Sequence, residues 1–169
     1  MDAVSMDSPD AIDAVVAAWH RERPDLDLTA IAVAGRLGRI ALLLGPAQEK
    51  VFGAFGLQRG EFDVLAALRR SGEPYTLIPS QLSQLLMLSR AGMTSRLDRL
   101  EAAGLIERTL DPADRRSFRI RLTERGYATV DAAMTEHTAN VTGLLSALDG
   151  GELADLDGLL RKLLGSLSE

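Results

Sequence analysis

The feature that most narrows what this chain can fold into is the run "SQLSQLLMLSRAGMTSRLDRLEAAGLIERTLDPADRRSFRIRLTERG", which begins at Ser80. Residues 80–86 predict a short helix. Ser89 is placed to cap a second helix, its hydroxyl accepting a backbone N–H that the first turn leaves free. Gly104 predicts the end of that helix, because glycine enters the left-handed region without a Cβ clash. Residues 105–110 then read as a strand, "DPADRR" as a turn, and Phe118, Ile120 and Leu122 as the alternating face of a returning strand. Two short helices followed by a two-stranded hairpin predict a winged helix-turn-helix.

The flanks predict helices only. Ser8 followed by Pro9 reads as a helix start, with Ile12, Val15, Val16 and Trp19 on one face and Pro24 as the stop, giving an extra N-terminal helix over 8–23. Ile31, Leu37, Ile40 and Leu44 mark a helix over 28–54, with Ala34, Gly35, Gly38 and Ala41 allowing close approach and Pro46 kinking or interrupting it. The winged-helix lobe spans 57–123, and two further helices over 124–166 are split by "DGG" at Asp149. The fold class is mainly α with a small β-hairpin wing, organised as one domain over 1–169. The long outer helices have an apolar face and no sheet to cover it, so they are expected to pair between two chains in a homodimer.

Composition excludes several classes of function. There is no cysteine, and the two histidines, His20 and His137, are far apart and read as surface residues. No metal or cofactor is expected, and no paired-histidine, G-x-S-x-G or phosphate-loop motif points to an enzyme. The start "MDAVSMDSPD" is acidic, unlike a signal peptide, and Arg36 and Arg39 interrupt the most apolar run. A soluble cytoplasmic protein away from membranes is expected.

Charge is distributed unevenly. The net charge is −5, yet residues 88–121 hold eight arginines against five acids, a local +3 that leaves −8 on the rest. A basic segment on an acidic body is the footprint of a localised polyanion contact, here double-stranded DNA. On the second helix, Met93, Leu97 and Leu100 form the buried stripe. The opposite side carries Ala91, Thr94, Ser95, Asp98 and Arg99, with Ser89 and Arg90 at its start. Small and hydroxyl side chains permit close approach to a groove, and Arg99 can reach a guanine edge or a phosphate. On the hairpin, Arg119 and Arg121 oppose the apolar strand face, while Arg115 and Arg116 occupy the tip, with Asp114 set to orient Arg116. Such a ribbon suits a minor groove. The alternatives are a solvated helix face, or a winged-helix adaptor that binds protein.

Three charged residues fall where apolar ones are expected. Arg108 shares a strand side with Ile106 and Leu110, Asp63 sits in the apolar helix "FDVLAAL", and Arg96 flanks the buried stripe. A buried unpaired charge costs several kcal/mol, of that order in proteins generally, so these groups are expected to find one another. A purely structural ion pair and a ligand-responsive switch are both compatible with that expectation. Trp19, at the end of an apolar stripe, reads as a core residue on pattern alone.

The chain resembles MarR-type transcriptional regulators. The resemblance is carried by Asp114-x-Arg116 in the hairpin, by Leu122-Thr123-x-x-Gly126 after it, and by the helix exit "RLEAAGLIER"; it covers about residues 30–165. The N-terminal extension with Trp19 resembles the PecS-like branch, whose members respond to urate or to small carboxylates such as trans-aconitate. The resemblance implies a homodimeric repressor on a palindromic operator, released by a small anionic effector of the urate or trans-aconitate/citrate kind. It also implies that Trp19, Asp63, Arg96 and Arg108 stand at ligand-site positions. The anion would pair with Arg108 and Arg96, repel Asp63, and shift the recognition helix. Ala41 falls where some relatives carry a histidine at the dimer axis, so a pH-sensing pivot is not implied there.

Overall fold

The computed structural model describes residues 9–87, 89–111 and 118–168, and the side chain of Arg90 is left undescribed. It divides into two compact units, residues 46–140 and the combination of 1–45 with 141–169.

In the second of these, α1 (Ala11–Glu22) begins two residues later than Ser8-Pro9 predicts. Asp10 is the N-cap, its carboxylate accepting the N–H groups of Ile12 at 2.7 Å and Asp13 at 2.9 Å. The Asp13 carboxylate accepts the Asp10 N–H at 2.8 Å, completing a reciprocal box that outcompetes an earlier start. Arg36 of α2 (Thr29–Ala54) pairs with both acids, at 2.8 Å to Asp10 and 2.5 Å to Asp13. Gly35 lets α1 lie close, since a Cβ there would stand 3.2 Å from Ile12 Cδ1. Ile31, Val33, Ile40, Leu42 and Leu43 remain exposed on α2. By length and composition α2 is apolar enough to cross a bilayer. The helix continues through Pro46, so of the kink or interruption expected there, the interruption does not occur.

The unit over 46–140 contains α3 (Arg59–Arg70), β1 (Thr76–Leu77), α4 (Pro79–Leu85), α5 (Arg90–Ala102), β2 (Ile106–Leu110) and β3 (Phe118–Leu122). The helix α6 (Glu124–Leu144) leaves it, and α7 (Gly150–Leu167) follows, capped by Asp149. The hairpin gains a third strand: the antiparallel order is β1-β3-β2, with Leu77 opposite Ile120 and Ile120 opposite Arg108. Two residues of β1 are too few to show a period, which is why the sequence reading has only two strands.

Core packing follows the predicted stripes. Met93, Leu97 and Leu100 of α5 are buried against Phe62, Leu65 and Leu68 of α3, Leu82 of α4, and Ile106, Ile120 and Leu122 of the sheet. Phe52 and Phe62 stack at 4.3 Å, and His137 of α6 packs on Phe52 at 5.0 Å. His137 is therefore half-buried, not the surface residue expected.

Gly104, at φ +68°, ends α5 with paired bonds, Leu105 N–H to Leu100 O at 3.0 Å and Gly104 N–H to Glu101 O at 2.8 Å. The Leu-Thr-x-x-Gly motif fastens the hairpin's exit. Thr123 Oγ1 donates to Gly104 O at 2.8 Å and accepts from Gly126 N–H at 2.9 Å. Gly126 itself lies so close to the Leu105 carbonyl that a Cβ would overlap it.

Candidate nucleic-acid interface

The exposed side of α5 is built by its burial pattern. With Met93, Leu97 and Leu100 inward, Thr94, Ser95 and Arg99 face outward, and with Ala91 and Asp98 they line one shallow, open hollow. Ser89 is the N-cap, its hydroxyl accepting the Gly92 N–H at 3.2 Å. Arg90 is the first residue of α5. Arg119 is exposed on β3 and pairs with Asp111 at 3.1 Å; Arg121 is exposed opposite Glu107, at 3.8 Å. Arg115, Arg116 and Asp114, at the hairpin tip, lie outside the described residues. Phe118 and Leu110, opposite one another, stay exposed, so the apolar strand face reaches only from Leu122 to Ile120.

Arg108 is half-buried, as its strand side predicts, but it does not pair with Asp63. Its Nη2 donates to Asp98 Oδ1 at 2.6 Å, and its Nε lies 3.3 Å from Glu101 Oε2. Both acids belong to α5, and each offers Arg108 a partner nearer along the chain than α3 does. The buried Nε finds no well-aligned hydrogen bond. Arg108 thus ties β2, the root of the hairpin, to α5.

Asp63 is half-buried rather than enclosed. It lines a cleft of about 370 Å³ with Phe62, Arg70, Val130, Met134 and His137. Burial pushes its carboxyl above the usual range, against the opposing pull of Arg59, Arg70, Arg96 and His137. Arg96 therefore does lie within electrostatic reach of Asp63. Its guanidinium covers Gly60, where a Cβ would collide with it, and donates to Gly92 O at 3.2 Å. Trp19, read as a core residue on pattern alone, is instead exposed on α1, in the other unit, because α1 buries none of its residues.

Comparison with known proteins decides the family. Over 149 residues the chain is 43% identical to the HTH-type transcriptional regulator PecS of Dickeya dadantii (strain 3937), covering 88% of this chain and 90% of that one. This chain belongs to the MarR family. Residues 55–117 match the MarR family itself. The transcriptional repressor MprA of Escherichia coli (strain K12) is 34% identical, over 72% of this chain and 69% of its own. Among solved structures, the MarR family regulator AbsC from Streptomyces coelicolor superposes with a TM-score of 0.73 at 27% identity, over 85% of this chain and 96% of its own. A MarR mutant from E. coli complexed with operator DNA gives a TM-score of 0.70 at 25% identity, over 81% and 97%. The strong match to PecS supports placement on the PecS-like branch. Members of this family are DNA-binding transcription regulators with a winged helix, which is the architecture found here.

Reading the sequence missed Glu61. It is the buried charged residue among those described, 6% exposed, and it holds Arg99 at 2.5 Å. The signal was present: Glu61 stands three residues after Gln58 in "QRGEFD", and its carboxylate accepts the Gln58 N–H at the N-cap of α3 at 2.8 Å.

Proposed function

We propose that the chain is a cytoplasmic homodimeric repressor that holds a palindromic operator and lets go when a small anionic metabolite, urate-like or trans-aconitate/citrate-like, binds. The observation that carries the DNA half is the exposed face of α5, where Thr94, Ser95 and Arg99 project beside an arginine-bearing hairpin. Ser89, Arg90, Thr94, Ser95 and Arg99 address the major groove in this reading, and Arg115, Arg116 and Arg119 the adjacent minor groove. The E. coli MarR mutant solved on operator DNA, and the similarity to the transcriptional repressor MprA, support it.

The effector half rests on Arg108. An anion that draws its guanidinium away from Asp98 and Glu101 unties the wing from α5. Arg96, on α5 within reach of Asp63, is the second cation such a ligand meets. Trp19 is kept as a ligand residue by the resemblance alone.

The test is a fluorescence-anisotropy titration onto DNA from upstream of the protein's own gene, at several salt concentrations, with and without urate and trans-aconitate. Binding that prefers this DNA to a scrambled duplex, weakens steeply with salt and is relieved by one ligand is the expected result. Specific binding that neither compound relieves removes the effector assignment and keeps the regulator. Equal release in Arg108→Ala removes the switch.

A further inference from the structure

We propose that Glu61 is the positioning residue for sequence reading by Arg99, fixing its guanidinium before DNA arrives. The inference rests on the reading that α5 enters the major groove. An arginine on an exposed helix face is ordinarily free to sample many rotamers, and ordering it on binding costs affinity. Arg99 is instead held from three sides, although its side chain is 46% exposed. Its Nε donates to Glu61 Oε1 at 2.5 Å, Nη1 to Ser95 Oγ at 2.8 Å, and Nη2 to Gln58 Oε1 at 3.4 Å.

Glu61 is itself buried and bonded on both oxygens. Its side chain is 8% exposed, and its second oxygen accepts the Gln58 N–H at the N-cap of α3. A carboxylate so placed needs a cation, and Arg99 supplies it. The bonds formed use one N–H on each of the three guanidinium nitrogens. Of the five donors, one remains on each terminal nitrogen, the number a bidentate contact to a guanine edge requires. Because Glu61 offsets the charge of Arg99, this arginine is suited to read a base edge more than to neutralise a phosphate.

The test begins with a duplex selected from a random-sequence pool by the wild-type protein. Affinities for that duplex and for its single-base-pair variants are measured by anisotropy at fixed salt, for wild type, E61Q, R99A and the double variant. E61Q keeps an oxygen for the Gln58 N–H but removes the charge that holds Arg99. The expected result is roughly a tenfold loss of discrimination at one base pair per half-site, the same position in E61Q and R99A, with no further loss in the double variant. The slope of log affinity against log salt stays that of wild type in E61Q, because phosphate contacts are untouched. R99K serves where E61Q unfolds: it keeps the charge, loses the fork, and is expected to lose the same discrimination. Additive losses, or losses spread evenly over all variants, overturn the proposal. If the wild-type protein selects no sequence, the groove reading fails and this inference with it.

Discussion

Gly126 shows how one residue type can be dictated by a single close approach. The Leu105 carbonyl occupies the space a Cβ would need, and that oxygen also accepts the Thr123 N–H at 3.2 Å. Backbone on both sides cannot yield as a flexible side chain would. Gly126→Ala is expected to cost on the order of 3 kcal/mol or more, read as a lowered midpoint in chemical denaturation. Gly60→Ala is the contrast, because the colliding group is the Arg96 guanidinium, which can swing aside; its main effect falls on Arg96 and not on folding. Asp63 provides a pH signature. Its carboxyl titrates above the ordinary value of 3.8 because burial disfavours the charged form. The folded state therefore holds the proton more tightly than the unfolded chain, and this group's contribution to stability falls as pH rises from the unfolded value through the folded one. Asp63→Asn is expected to flatten that part of the stability profile and to raise the melting temperature at neutral pH. An unchanged profile would show that Arg59, Arg70 and Arg96 fully compensate the burial.

At the scale of elements, the helix-turn-helix and wing were legible because each boundary has a local chemical cause. Ser89 caps α5, Gly104 ends it, and Ile120 and Leu122 alternate into the core. What was not legible depended on partners distant in sequence. The strand β1 exists through its pairing with β3, and the His137 ring packs against Phe52 and Phe62, far from it in sequence. Arg108 was readable as an inward-facing charge, but its choice of Asp98 and Glu101 over Asp63 is a matter of reach between β2 and α5. The Glu61–Arg99 pair spans α3 and α5 and had no trace beyond an acid three residues after the N-cap of α3. The tie through Arg108 predicts its own phenotype. Arg108→Gln is expected to destabilise the lobe by about 1 kcal/mol, a partly exposed pair being worth no more. It is also expected to speed amide exchange in β2 relative to the α3 core, measurable by hydrogen-exchange mass spectrometry.

For the whole molecule, the acidic body and the exposed leucines follow from one arrangement. Leu42 and Leu43 on α2, and Leu159, Leu164 and Leu167 on α7, leave large apolar surface open in a single chain. Burial of such faces against a second copy would stabilise by about 25 cal/mol per Å², and they are the surface we propose for the dimer. Replacing Leu42 and Leu164 with glutamate is expected to yield monomers in sedimentation experiments and to reduce operator affinity at least tenfold, since each half-site is then held alone. The local +3 over 88–121 against −8 elsewhere is the charge distribution expected for the phosphate contact proposed above, made by α5 and the hairpin and not by the acidic remainder. The most direct test of this account is a hydroxyl-radical footprint of the wild-type protein on its selected duplex. Two protected half-sites related by two-fold symmetry, with centres about 34–36 Å apart along the DNA, are the predicted result. A single unsymmetrical footprint, or protection that ignores sequence, would contradict it.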